Sequence, residues 1–319
     1  MFQALFINVL SVFLMMIPGY LIIRKNIISE SALKALSHII IKVLYPCLIF
    51  SSITKNFTIT KVLESWQLPV SIFVFCIIGY LAGLLYLGFF KCDDLQRRRS
   101  ILFQMTTNNY SFLPLAIIAK LYGEQQMGAL ILSTLGAELA VWTLGISILN
   151  TNGGGFKTKD LKHLLSAPMV SIYFSLLILI GLHIFNMPFQ NLLDKSLFLN
   201  YSQKTIFQMG QATIPISMIM VGGRMGLMKF SDLKILDLWG VALFRLILIP
   251  IIGVILLKQF FPDHPFLNVM LIVVVMPNSM ASQVLGEIYG ADTKLFSGTI
   301  LITHLLSLIS IPLWLLLLL

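Results

Sequence analysis

The chain alternates between long apolar runs and short polar breaks. A helix rising 1.5 Å per residue needs about 20 apolar residues to cross a hydrocarbon core of about 30 Å. That ruler predicts ten spans, at 4–23, 33–53, 68–90, 100–120, 127–149, 167–186, 205–226, 236–257, 266–287 and 297–318. Two of them are interrupted in the same way. Span four contains MTTNNYSFLPLAIIAKLYGE (Met105 to Glu124), and span nine contains VMPNSMASQVLGEIYGAD (Val275 to Asp292). Each has Pro, Asn and Ser at its middle and ends in Tyr-Gly, at Tyr122–Gly123 and Tyr289–Gly290. Polar residues beside a Pro are costly at bilayer depth unless they line a site. A matched pair of breaks, one in each half, is the sequence pointer to a transporter's binding site.

The composition agrees: 58% hydrophobic and 11% charged residues, where a soluble domain carries about 25% charged. The runs are too long for β-barrel strands. The first run has no basic residues before it, so it reads as a span and not as a signal peptide. The net charge of +9 is expected of loops rich in Lys and Arg, and no nucleic-acid partner is implied. Cys47, Cys76 and Cys92 have no metal spacing.

Placing the first loop in the cytoplasm collects Arg24, Lys25, Lys34, Lys91, Arg97, Arg98, Arg99, Lys157, Lys159, Lys162, Arg224, Lys229, Lys234 and Lys294 on that side. Lys55, Lys61, Lys120, Lys195, Lys204 and Lys258 fall on the other, with Lys42 and Arg245 inside spans. The asymmetry predicts a multi-pass protein of the cell membrane with both termini extracytoplasmic. A linker over 150–166, carrying Gly153 to Gly155, divides the chain into 1–149 and 167–319, five spans each. An odd number of spans per half makes the halves an inverted repeat. The predicted fold class is an all-α integral membrane protein: ten helices as a 5+5 inverted repeat, broken in spans four and nine.

In span four the helix is expected to stop near Asn109 and restart near Pro114, with Ser111 as cap. In span nine the break centres on Pro277, with Asn278 or Ser279 as cap and Ser282 and Gln283 one turn on. Restarting half-helices aim free N–H groups at the midplane and suit an anion without any Arg. The candidate substrate-binding residues are therefore Asn108, Asn109, Ser111, Pro114, Pro277, Asn278, Ser279, Ser282 and Gln283. Four ionisable residues lie at depth: Lys42, Glu138, Arg245 and His304. Glu138 is either a proton carrier or one half of a static pair with Arg245 or His304. Arg245 either meets a substrate carboxylate or pairs with Glu138. His304 packs or shuttles protons, and Lys42 either acts at depth or snorkels to the cytoplasmic face. Glu287 reads as a solvated helix terminus.

NNYSFLPLAI (Asn108–Ile117), MPNSMASQVLGEIYGAD (Met276–Asp292), YPCLIF (Tyr45–Phe50) and the segment Phe296 to Leu318 together resemble the auxin efflux carrier family, a relative of the bile-acid/sodium symporter type. The resemblance implies crossed half-helices in spans four and nine and transport of an organic anion. It also implies a scaffold of spans 1, 2, 6 and 7 with a mobile bundle of spans 3–5 and 8–10. Plant members place a Lys four residues before the span-two Pro; Lys42 matches, and Gln211 holds that place before Pro215. Their acidic partner in span three has no counterpart between Leu68 and Phe90. Tyr110 and Ser111 stand where many bacterial members have Gly.

The function expected is secondary transport of a small organic anion, a mono- or dicarboxylate, in the lipid bilayer. No cofactor is expected; the coupling ion, H+ or Na+, is open, as are uniport and a homodimer. A sodium-coupled symporter is the alternative, and a receptor on a transporter-like body is the alternative of another class. A membrane enzyme would need acid pairs or metal ligands at depth, and HExxH is absent.

Overall fold

Backbone polar groups in hydrocarbon must be satisfied within their own segment, and helix is the regular structure this chain adopts. The computed structural model describes residues 2–150, 164–228 and 235–318, and no strand occurs among them. Most of the glycine-bearing linker expected at 150–166 lies outside the described residues. Among the described residues seven helical stretches are long and apolar enough to cross a membrane: Phe6–Arg24, Glu30–Asn56, Ile59–Phe89, Glu124–Leu149, Ala167–Ile184, Leu236–Phe260 and Thr293–Leu318. They fall on expected spans one, two, three, five, six, eight and ten.

In chain order the helices are α1 (Phe2–Leu14), α2 (Ile17–Arg24), α3 (Glu30–Ile39), α4 (Tyr45–Asn56), α5 (Ile59–Glu64), α6 (Gln67–Phe89), α7 (Leu95–Thr106), α8 (Phe112–Tyr122), α9 (Glu124–Ala140) and α10 (Ile146–Leu149). Then come α11 (Ala167–Ile184), α12 (Phe189–Asp194), α13 (Leu197–Gln211), α14 (Thr213–Leu227), α15 (Leu236–Leu243), α16 (Ile249–Phe260), α17 (Leu267–Val274), α18 (Ser282–Ile288) and α19 (Thr293–Leu318). The segments expected as spans four and nine are broken by several non-helical residues, between α7 and α8 and between α17 and α18; span seven is α13 and α14, parted only at Ala212.

Single π turns join α3 to α4 (Ile40–Leu44), α9 to α10 (Val141–Gly145) and α15 to α16 (Phe244–Leu248). Two of them run into a Pro, Pro46 and Pro250. Proline removes an i→i−4 hydrogen bond and its ring presses on that carbonyl, which one extra residue per turn relieves. The Leu246 carbonyl, four residues before Pro250, accepts instead from Trp314 Nε1 at 2.8 Å.

Helix ends recur in pairs. Asn26 (φ 54°) after α2 and Asn186 (φ 47°) after α11 are both left-handed. In each case the next residue's N–H closes back over the last turn, Ile27 to Ile22 and Met187 to Leu182, both at 2.9 Å. This is the left-handed helix stop that Asn and Gly tolerate. Gly123 (φ 77°) and Gly290 (φ 66°) end the second half of each broken segment, which accounts for the two Tyr-Gly pairs.

Close packing fixes α14 on α2. A Cβ at Gly19 would run into the Ile219 carbonyl, and one at Gly222 into the Met16 carbonyl. Polar contacts gather at two opposite ends. At one, Arg24 Nη2 donates to the Met228 carbonyl (3.1 Å), Arg97 pairs with Asp237 (2.6 Å), and Gln96 donates to the Gly290 carbonyl (2.8 Å). At the other, Lys55 pairs with Glu124 (2.6 Å), and Lys61 lies by the 260–266 loop.

Candidate functional site

The two breaks meet in the core and exchange hydrogen bonds reciprocally. Asn108 Nδ2 donates to the Val273 carbonyl (2.6 Å), in the last turn of α17. Asn278 Nδ2 donates to the Gln104 carbonyl (2.6 Å), in the last turn of α7, and to Gln104 Oε1 (2.8 Å). The last four carbonyls of a helix have no intrahelical donor, so each Asn satisfies the stump of the opposite helix. Asn109 N–H donates to the Pro277 carbonyl (2.8 Å), and Asn278 N–H to Thr303 Oγ1 (3.3 Å). Asn108 and Asn278 are fully buried. Among the described residues Asn108 Oδ1, Asn278 Oδ1 and Asn109 Nδ2 have no partner.

The helices stop and restart a few residues from the expected points. α7 ends at Thr106 and not near Asn109; α8 starts at Phe112, with Pro114 in its first turn, where a missing N–H is harmless. Neither expected side-chain cap forms. Ser111 makes no capping bond; Asn109 Oδ1 instead takes the Leu113 N–H, at 3.5 Å. α18 begins at Ser282 with Ala281 as N-cap, because Asn278 and Ser279 belong to the crossing itself. Ser282 Oγ donates to the Ser279 carbonyl and accepts from Gln104 Nε2 (3.3 Å).

A cavity of about 260 Å³ opens beside the crossing. The first break contributes Tyr110, Ser111 and Phe112, and the second contributes Met280 and Ala281. The facing wall comes from α3, the following π turn, α11 and α14, through Ser37, Ile41, Ile172 and Arg224. Of the candidate substrate residues, Ser111 lines this cavity, and Gln283 lines a smaller one of about 170 Å³ next to it. Asn108, Asn109, Pro114, Pro277, Asn278, Ser279 and Ser282 form the packed floor. A larger cavity of about 600 Å³ lies at the opposite end, among Lys61, Gln125 and His264, and includes no break residue. Burial there holds the His264 imidazole below its usual pKa.

The four charges at depth do not gather. Glu138 lines the main cavity and accepts from Tyr110 Oη (3.0 Å) and Trp142 Nε1 (2.8 Å). It forms no ion pair with Arg245 or His304. Arg245 is fully buried: Nη1 donates to the Met105 carbonyl (2.9 Å) at the end of α7, and the guanidinium lies 5.0 Å from the Phe75 ring centre. A cation at a helix C-terminus is electrostatically favourable. His304 Nδ1 meets the Ile300 carbonyl of its own helix at 2.9 Å. Since the carbonyl can only accept, Nδ1 carries the proton. Lys42 is exposed on the π turn, as are its neighbours Ile41 and Val43. Glu287 takes a bond from Gln283 (3.2 Å) at an exposed position.

Gln104, Trp142, Ser37 and Arg224 join the site without having been singled out by sequence. Trp142 lies one helical turn after Glu138, a spacing that could have been read. The others meet their partners across the fold.

The family model described as "Membrane transport protein" matches residues 4–174 and 157–315. The chain is 30% identical over 311 residues to an uncharacterized transporter of Methanocaldococcus jannaschii, covering 96% of each chain. It is 24% identical over 310 residues to an uncharacterized transporter of Methanothermobacter thermautotrophicus, again covering 96% of each. Over 112 residues it is 30% identical to Protein PIN-LIKES 6 of Arabidopsis thaliana, 34% of this chain and 26% of that one.

Proposed function

The chain belongs to the membrane transport protein family, the auxin efflux carriers, and within it we propose a secondary transporter of a small organic anion, a carboxylate, working by alternating access. One observation carries the reading: both helix breaks open onto one cavity, whose other wall is built from different helices. Spans 1, 2, 6 and 7 form the scaffold wall and spans 3–5 and 8–10 the moving bundle, ten spans in two inverted halves. The reciprocal Asn bonds and the paired left-handed helix ends support the repeat. Both termini lie outside the cell membrane, so this cavity faces the cytoplasm.

Neutral donors and restarting helices receive the carboxylate, while the bundle shifts against the scaffold to present the cavity to the other face. Glu138 is the proton carrier in this reading: it faces the cavity, accepts from two neutral donors and forms no ion pair among the described residues.

Uptake of a panel of mono- and dicarboxylates into proteoliposomes tests the reading. At least one acid should accumulate saturably while its neutral amide does not. In the same vesicles Glu138→Gln should remove the pH dependence of uptake. A panel in which no acid moves, and none stabilises the protein to heat, contradicts the proposal. Retained pH dependence would return Glu138 to anchoring Tyr110.

A further inference from the structure

The consecutive arginines Arg97, Arg98 and Arg99 divide their charge between two tasks. Arg97 pairs with Asp237 at 2.6 Å. Arg98 is exposed and Arg99 is half-buried. Among the described residues neither has a carboxylate within 4.0 Å. Both line a groove of about 230 Å³ between α6, α7 and the stretch from the second π turn into α10. Its other walls are apolar, chiefly Leu84, Leu102, Leu144 and Ile148. The Ser147 hydroxyl at its edge already donates to the Thr143 carbonyl (2.6 Å), so the arginines remain as the charged donors.

The groove has a direction. Tyr80, at its deep end, lies nine residues before the end of α6, about 14 Å along the helix at 1.5 Å per residue. The groove therefore follows the apolar stretch Ile59–Phe89 inward from the arginines. Leu81, Leu84 and Leu85 are exposed on the same helix, so its outer side faces the acyl chains of the bilayer. Its walls are fixed: a Cβ at Gly79 would run into the Met105 carbonyl, which holds α7 close on α6.

We propose that this groove is a binding site for a membrane phospholipid with an anionic headgroup. Arg98 and Arg99 take the phosphate, and one acyl chain lies along Leu84 and Leu144 toward Tyr80. Guanidinium groups match phosphate oxygens through paired hydrogen bonds, and a basic pocket between helices at the membrane surface suits a charged lipid head. A soluble anion would use the two charges and leave the apolar length empty. An uncharged lipid would fill the length and leave the charges without a partner. The last turn of α7 carries Gln104 to Asn278, so a lipid clamped on its early turns steadies the helix that reaches the crossing.

Heat stability of the purified full-length protein in a neutral maltoside detergent, titrated with phosphatidylglycerol, phosphatidylcholine of the same acyl chains, or glycerol phosphate, tests this. Phosphatidylglycerol should stabilise the wild type at a lower concentration than phosphatidylcholine, and glycerol phosphate should not stabilise it. Each arginine replaced by Gln should weaken phosphatidylglycerol by about fivefold, so Arg98→Gln with Arg99→Gln should remove the preference. Lys91→Gln, a charge of the same end outside the groove, should leave it intact. If the double variant does not fold, Arg98→Gln alone decides, because that side chain is exposed. Equal stabilisation by the two lipids, or a preference that survives the loss of Arg98, overturns the site. Glycerol phosphate acting as strongly as phosphatidylglycerol makes the groove a soluble-anion site and overturns the lipid assignment.

Discussion

Asn278 satisfies two acceptors of Gln104 with one side-chain nitrogen and holds its own backbone to Thr303. It is thus as much a latch between helices as a ligand group. Losing the amide leaves the Gln104 acceptors buried without a donor, at a cost of about 1–3 kcal/mol. Asn278→Ala should therefore unfold at lower denaturant than wild type in a detergent titration, with substrate binding weakened besides. Equal stability of variant and parent would show that the crossing does not depend on this amide. That Asn108 and Asn278 matter was legible in the sequence, since an amide beside Pro at bilayer depth needs a reason. Their partners were not, because Val273 and Gln104 are brought opposite them only by the fold. The caps assigned to Ser111 and Asn278 failed for a related reason. Local capping rules assume a side chain free to turn back on its own helix, and at the crossing the other break claims Asn278.

At the scale of helices, hydropathy marked the seven described helices long and apolar enough to cross a membrane and both breaks, and the doubled Tyr-Gly found two left-handed stops. It did not mark the Asn26 and Asn186 stops, because Asn takes that conformation only in some contexts. Nor did it mark the π turns: Pro46 and Pro250 announce a disturbed helix without saying whether it kinks or widens. Lys55 at the end of α4 and Glu124 at the start of α9 join two helices at the end away from the cavity, 2.6 Å apart and partly exposed. Such pairs contribute about 0–1 kcal/mol, enough to shift a two-state balance by up to about fivefold. Lys55→Ala should lower the cytoplasm-facing population by up to that factor, read as slower labelling of a cysteine in the cavity. Unaltered labelling would mean that the pair does not hold that end shut.

Across the whole molecule, both breaks lead to one cavity whose facing wall comes from other helices. The sequence pointed to the crossing as the place where an anion would be held. The structure puts the crossing beneath the cavity and gives the exposed roles to Tyr110, Ser111, Met280, Ala281 and Arg224. Spacing cannot distinguish floor from wall, because the two walls come from segments far apart in the chain.

The central claim is that this one cavity serves both faces of the membrane in turn. Ala281 is exposed, lies in the second break and lines the cavity. A cysteine there, in protein lacking Cys47, Cys76 and Cys92 and inserted in one orientation, can be challenged with an impermeant thiol reagent from either side. Labelling should proceed from the cytoplasmic side in the resting protein and from the opposite side under transport conditions, with one reduced as the other rises. Labelling from one side only, while transport continues, would contradict the account.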